Sequence, residues 1–108
     1  MRGGLAGRLY TLCRYTVPII GWMPEVSRFF GISIRFYYND HEPAHFHAAY
    51  GEFEALIEID TLSVLRGQLP RRALALVLEW AALHRAELRA DWNSARMGEP
   101  PLPIDPLD

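Results

Sequence analysis

Two stretches of alternating apolar and polar residues, joined through two short turn signals, leave this chain few ways to fold. Ile32, Ile34, Phe36 and Tyr38 take one face and Ser33, Arg35 and Tyr37 the other, the period of two that marks a half-buried β-strand. The same period returns after residue 52: Phe53, Ala55, Ile57 and Ile59 lie on one side, Glu54, Leu56 and Glu58 on the other. Between them, Ala44 to Tyr50 reads as a further strand. Gly51-Glu52 is its two-residue hairpin loop, because glycine supplies the positive φ needed at the first central position of a type II′ turn. Asn39 to Pro43 forms the other turn, and Leu62 to Leu65 reads as a short fourth strand.

The two turns fix the strand register independently and agree. A two-residue loop at Gly51-Glu52 sets Tyr50 opposite Phe53, Ala48 opposite Ala55 and Phe46 opposite Ile57, so that face is apolar throughout. Setting Tyr38 opposite Ala44 brings Phe36 to Phe46 and Ile34 to Ala48, which extends the same buried face. The other face then follows. Tyr37, His45 and Glu58 form one cross-strand row, and Arg35, His47 and Leu56 form the next.

Arg66 to Pro70 closes the strand region, with Pro70 as the first residue of a helix, where its missing N–H costs nothing. Ala73, Val77, Ala81, His84, Leu88, Trp92 and Ala95 make one apolar stripe, with Trp80 beside it. A single helix from Pro70 to Met97 would run about 42 Å at 1.5 Å per residue, too long for so small a domain, so a bend or break is expected near His84-Arg85. The fold class is therefore α+β: an antiparallel meander of three to four strands, then one long or broken C-terminal helix packed on one sheet face. Gly98 is a helix cap, and residues 102–108 form an extended, proline-rich tail outside a single domain spanning 23–101.

With 108 residues there is room for one core. The net charge of -2 conceals an uneven spread: Arg2, Arg8 and Arg14 face no acid in the first 22 residues, so the remainder is mildly acidic. That composition argues against nucleic-acid binding over the whole surface and restricts it to a local patch. Cys13 is the lone cysteine, which excludes an internal disulfide and a multi-cysteine zinc site and fits a reducing, cytoplasmic setting. Arginines interrupt the first 22 residues, so they form neither a membrane span nor a signal peptide; no membrane partner is expected. They read as a peripheral extension, with Met23 as the natural start.

Chemistry concentrates in Asp40-His41-Glu42-Pro43-Ala44-His45-Phe46-His47. His45 and His47 share a strand face, so they can ligate a divalent metal such as zinc together with a carboxylate from Asp40 or Glu58, and His41 can add a donor from the turn. The alternative is metal-independent acid–base cleavage of a phosphodiester, with His45 and His47 as general base and acid, Arg35 on the phosphate, Tyr37 as hydrogen-bond donor and Glu58 in the same row; this needs no cofactor. A third reading makes the histidines buried structural residues held by Glu58 and Tyr37.

The runs Met23 to Ile32 and Asp40 to His47, the helix start Leu69-Pro70-Arg71-Arg72-Ala73-Leu74 and Glu79-Trp80-Ala81 together resemble domain-of-unknown-function family 4160 of bacteria, from Met23 to about Pro101. The resemblance carries no established catalytic residues. It implies a small protein encoded beside another short domain, similar to toxin–antitoxin pairs, and hence a protein partner encoded nearby. The leading expectation is thus an interaction component of a two-gene system; the ribonuclease-like and metal-dependent readings are the alternatives.

Overall fold

The structure, a computed structural model, describes residues 24–108. The readings that concern Cys13, residues 1–22 and Met23 lie outside the described residues.

Five strands form one antiparallel meander in chain order: β1 (Glu25–Phe29), β2 (Ile32–Arg35), β3 (His45–Tyr50), β4 (Phe53–Glu58) and β5 (Val64–Gln68). Two helices follow, α1 (Arg71–Leu83) and α2 (Arg85–Arg96). The α+β class stands, while the expected three to four strands become five and the helix becomes two. β1 is the strand that alternation misses. A register shift between Glu25 and Ser27 puts Val26 and Ser27 side by side among the buried residues, which destroys the period of two. Phe30 and Gly31 then close the β1–β2 hairpin with φ of 50° and 80°, the pair of positive values that a type I′ turn needs.

Register follows the sequence reading closely. Tyr50 pairs with Phe53, Ala48 with Ala55 and Phe46 with Ile57; across the other hairpin Ile34 pairs with Ala48 and Arg35 with His47. Gly51 has a φ of 58°, and a Cβ there would meet nothing within 4 Å, so conformation alone selects this glycine. β2 nevertheless stops at Arg35, so Tyr37 and Tyr38 lie beyond the strand on which alternation placed them. The fourth strand also moves. Leu62, with a φ of 60°, belongs to the turn after β4, and β5 starts at Val64 and continues to Gln68, with every residue exposed. An exposed edge strand has no buried face to pattern, so its limits do not show in hydropathy.

The expected helix break falls at His84, whose φ of -124° and ψ of 27° leave the helical region. Pro70, with ψ of 147°, is the residue before the helix instead of its first turn. α1 buries Ala73, Val77, Trp80 and Ala81, and α2 buries Leu88, Asp91, Trp92 and Ala95. These close over Ile32, Ile34, Phe36, Phe46, Ala48, Ala55, Ile57 and Ile59, the apolar face that register selected. The tail is extended, and it is also packed: Ile104 is buried, its N–H donates to the Val26 carbonyl at 2.8 Å, and Trp80 Nε1–H donates to the Asp105 carbonyl at 2.8 Å. Among the described residues, no helix is long and apolar enough to cross a membrane.

Candidate metal centre

The loop between β2 and β3 positions the site. Asn39 takes a left-handed φ of 56°, a conformation its short polar side chain tolerates, and its N–H donates to the Ala95 carbonyl near the end of α2 at 3.2 Å. Glu42 adds an ion pair with Arg96, a second tie between loop and helix. Asp40 follows the turn at Asn39. Its Oδ1 accepts from the His41 N–H at 2.8 Å, which leaves Oδ2 facing the histidines of β3.

His45 and His47 share the polar sheet face, as residues two apart on a strand must, and their ring centroids are 5.2 Å apart. Both are buried, at 5% and 7% exposure. Their Nε2 atoms converge on one oxygen: Asp40 Oδ2 lies 3.0 Å from that of His45 and 3.2 Å from that of His47. Their Nδ1 atoms point outward to acceptors. His45 Nδ1–H donates to the Pro43 carbonyl at 2.8 Å, whereas His47 has a carboxylate acceptor at each ring nitrogen, Glu54 Oε2 at 3.2 Å from Nδ1 and Asp40 Oδ2 at 3.2 Å from Nε2, so its tautomer decides which of them donates.

A carbonyl can only accept, so Pro43 fixes the His45 proton on Nδ1 and the neutral ring presents a lone pair at Nε2. That nitrogen is buried and has no hydrogen-bond partner, because its contact with Asp40 Oδ2 lies outside hydrogen-bond geometry. A buried lone pair facing a carboxylate oxygen is unfavourable unless something positive lies between them. Asp40, His45 and His47 are also the group among the described residues whose ligand atoms, one from each, lie within 4.8 Å of one another.

The electrostatics agree with a charged Asp40. Burial works to raise its carboxyl, but the His41 amide, the hydrogen bond with His47 and the attraction of the two imidazoles in their protonated form together hold it below the usual carboxylate range. Burial, helped by the Glu54 and Asp40 carboxylates, pushes the Tyr37 phenol above its ordinary value, so it remains a donor at neutral pH. Trp92 of α2 covers His45, with ring centroids 5.1 Å apart, and Tyr37 lies over His47 at 4.2 Å.

The sequence-derived residues separate into two groups. Asp40, His45 and His47 meet, with Tyr37 and Arg35 beside them. Tyr37 packs on His47, not in the His45 row, because β2 ends before it and the chain has already turned. Glu58 is the cross-strand partner of His45, but the ring turns to Asp40. His41 is exposed and contributes its backbone N–H. Glu54 was missed: it sits diagonally across from His47, one row beyond the directly opposed Leu56, and diagonal neighbours at about 7–8 Å remain within reach of long side chains. The Trp92 cover was missed too, since the helix stripe alone reads as core.

Fold and site define a small α+β domain, a five-stranded meander with two helices on one face and a histidine–carboxylate cluster on the other. The sequence pattern of the family described as Domain of unknown function (DUF4160) matches residues 31–93, and the chain belongs to that family. The match contains Asp40, His45 and His47. No curated protein and no solved structure matches.

Proposed function

We propose that this chain binds a divalent transition metal such as zinc through Asp40 Oδ2, His45 Nε2 and His47 Nε2. The observation that carries the reading is the buried, unpartnered His45 Nε2 aimed beside Asp40 while its Nδ1–H is held by a carbonyl. Metal-binding histidines typically donate their second ring N–H to a carbonyl or carboxylate, which fixes the tautomer; Pro43 and Glu54 supply one of each. Two imidazoles and one carboxylate leave a coordination position open, the arrangement of catalytic zinc sites and not of closed structural ones. Zinc loading of the purified protein, read by elemental analysis, is expected to approach one ion per chain and to vanish in His45→Ala/His47→Ala. Folded wild-type protein that takes up no stoichiometric metal sinks the reading.

Metal-independent cleavage by the two histidines has less support. Both Nε2 atoms face one carboxylate, His45 lies beneath Trp92, and its Nε2, which lacks a hydrogen bond, is buried away from a substrate. A protein partner has separate support from β5, whose outer edge has no pairing strand among the described residues and which carries Val64 and Leu65 at 40% and 42% exposure. That surface suits a component of a bacterial two-gene system, and co-purification with the neighbouring gene product, lost on charging Leu65, tests it.

A further inference from the structure

The surroundings of the three ligands are uneven. On one side Trp92 packs on His45; the partly exposed neighbours of the cluster are Tyr37 and Arg35 toward β2 and Leu56 and Glu58 on β4. Tyr37 lies over His47, and Arg35 is the cross-strand partner of His47, within about 5.5 Å at Cβ for directly opposed residues. Of these neighbours, Arg35 and Tyr37 are the ones whose side chains can donate hydrogen bonds to a molecule that reaches an ion held by Asp40, His45 and His47.

Arg35 is held in place by a hydrogen bond and not by a direct ion pair, although its cross-strand partner Glu25 lies close enough for the Arg35 charge to help lower its carboxyl. Its Nε–H donates to Ser33 Oγ at 2.7 Å, and the Ser33 hydroxyl donates in turn to Glu25. Glu25 makes its ion pair with Arg28, at 2.7 Å. Among the described residues, no carboxylate lies within ion-pair distance of Arg35, its cross-strand partner Glu25 being paired with Arg28 instead. Orientation through Nε leaves both terminal amino groups of the guanidinium, a fork that matches an oxyanion, without a hydrogen-bond partner among the described residues. The Tyr37 hydroxyl feels the Arg35 charge as well as those of Asp40 and Glu54, so all three groups lie near it.

We infer that Arg35 and Tyr37 form an oxyanion subsite beside the metal, so that the ion's open position is filled by a phosphate- or carboxylate-bearing ligand. This rests on the metal reading above. The metal takes one oxygen, the Arg35 fork a second, and the Tyr37 hydroxyl donates to the same group.

Cobalt(II) loaded in place of zinc gives a visible spectrum that reports its ligands, and inorganic phosphate and acetate are titrated in separately. The expected result is a saturable spectral change with at least one anion. Phosphate alone identifies the ligand as a phosphoryl group, acetate alone as a carboxylate. Arg35→Gln is expected to weaken anion binding at least tenfold and Tyr37→Phe a few-fold, with cobalt affinity kept within about twofold in each. Circular dichroism checks that both variants are folded, and Arg35→Lys, which keeps charge without the fork, is expected to fall between them and the wild type. A cobalt spectrum that neither anion alters, or an Arg35→Gln variant that responds like the wild type, overturns the subsite while leaving the metal site standing. Failure to bind cobalt at all overturns both.

Discussion

Glu54 is the residue through which the centre is most easily tuned without being destroyed. It touches the far nitrogen of His47 and would not touch a metal, so its loss changes ring orientation and basicity and spares the ligand set. Glu54→Gln is therefore expected to lower zinc affinity by about 10- to 100-fold, the usual cost of removing such a support, in a competition titration against a chelator. Asp40→Ala should abolish stoichiometric binding. The two histidines of the proposed centre were legible, since alternation alone put His45 and His47 on one face. Their partners were harder to see, for two reasons. Asp40 reaches them only because Asn39 adopts a left-handed turn, and Glu54 reaches His47 along a diagonal, whereas register arguments resolve directly opposed pairs.

Among the elements, the hairpins carry different kinds of glycine. At Gly67 in β5 a Cβ would collide with the Glu54 carbonyl oxygen, and the φ of 79° is disfavoured as well; at Gly51 only the φ is at issue. Gly51→Ala should cost about 1–2 kcal/mol in urea unfolding, the price of a left-handed non-glycine residue, and Gly67→Ala distinctly more. Because that collision falls on the backbone of Glu54, Gly67→Ala should also weaken zinc binding, whereas Gly51→Ala should leave it unchanged. Legibility at this scale tracked burial. Strands with one buried face and the helix break came through, while β1, bent by its register shift, and β5, exposed along its length, carried no periodic signal.

For the molecule as a whole, the tail and α2 act together. Truncation after Pro101 removes the buried Ile104, worth about 1.5–3 kcal/mol, and orphans the Trp80 indole N–H, worth about 1–3 kcal/mol more. A drop of several kcal/mol in unfolding free energy is expected. The tail also bears on pH. Asp91 is buried and accepts from the Leu102 N–H at 2.9 Å, yet burial, with Glu87 adding, pushes its carboxyl from 3.8 up to about 6. Between those values the folded chain holds more protons than the unfolded one, so this group makes stability fall as pH rises from 3.8 to about 6 and level off above. Asp91→Asn should flatten that part of the profile of urea midpoint against pH. Proline content made the tail legible as extended chain, but its docking depends on contacts with residues as distant in sequence as Val26, which no local pattern records.

The two borders of the sheet are unequal. At β1, the Val26 carbonyl is already engaged by the Ile104 amide, whereas β5 offers its outer backbone to solvent. Growth of a β-structure by edge-to-edge addition needs a receptive border at each end of every subunit, so that each newcomer exposes the next template. Among the described residues the β1 border is partly occupied by the tail, through Ile104, and the β5 border is the one without a pairing strand, so a strand that adds to this sheet is expected to join at β5.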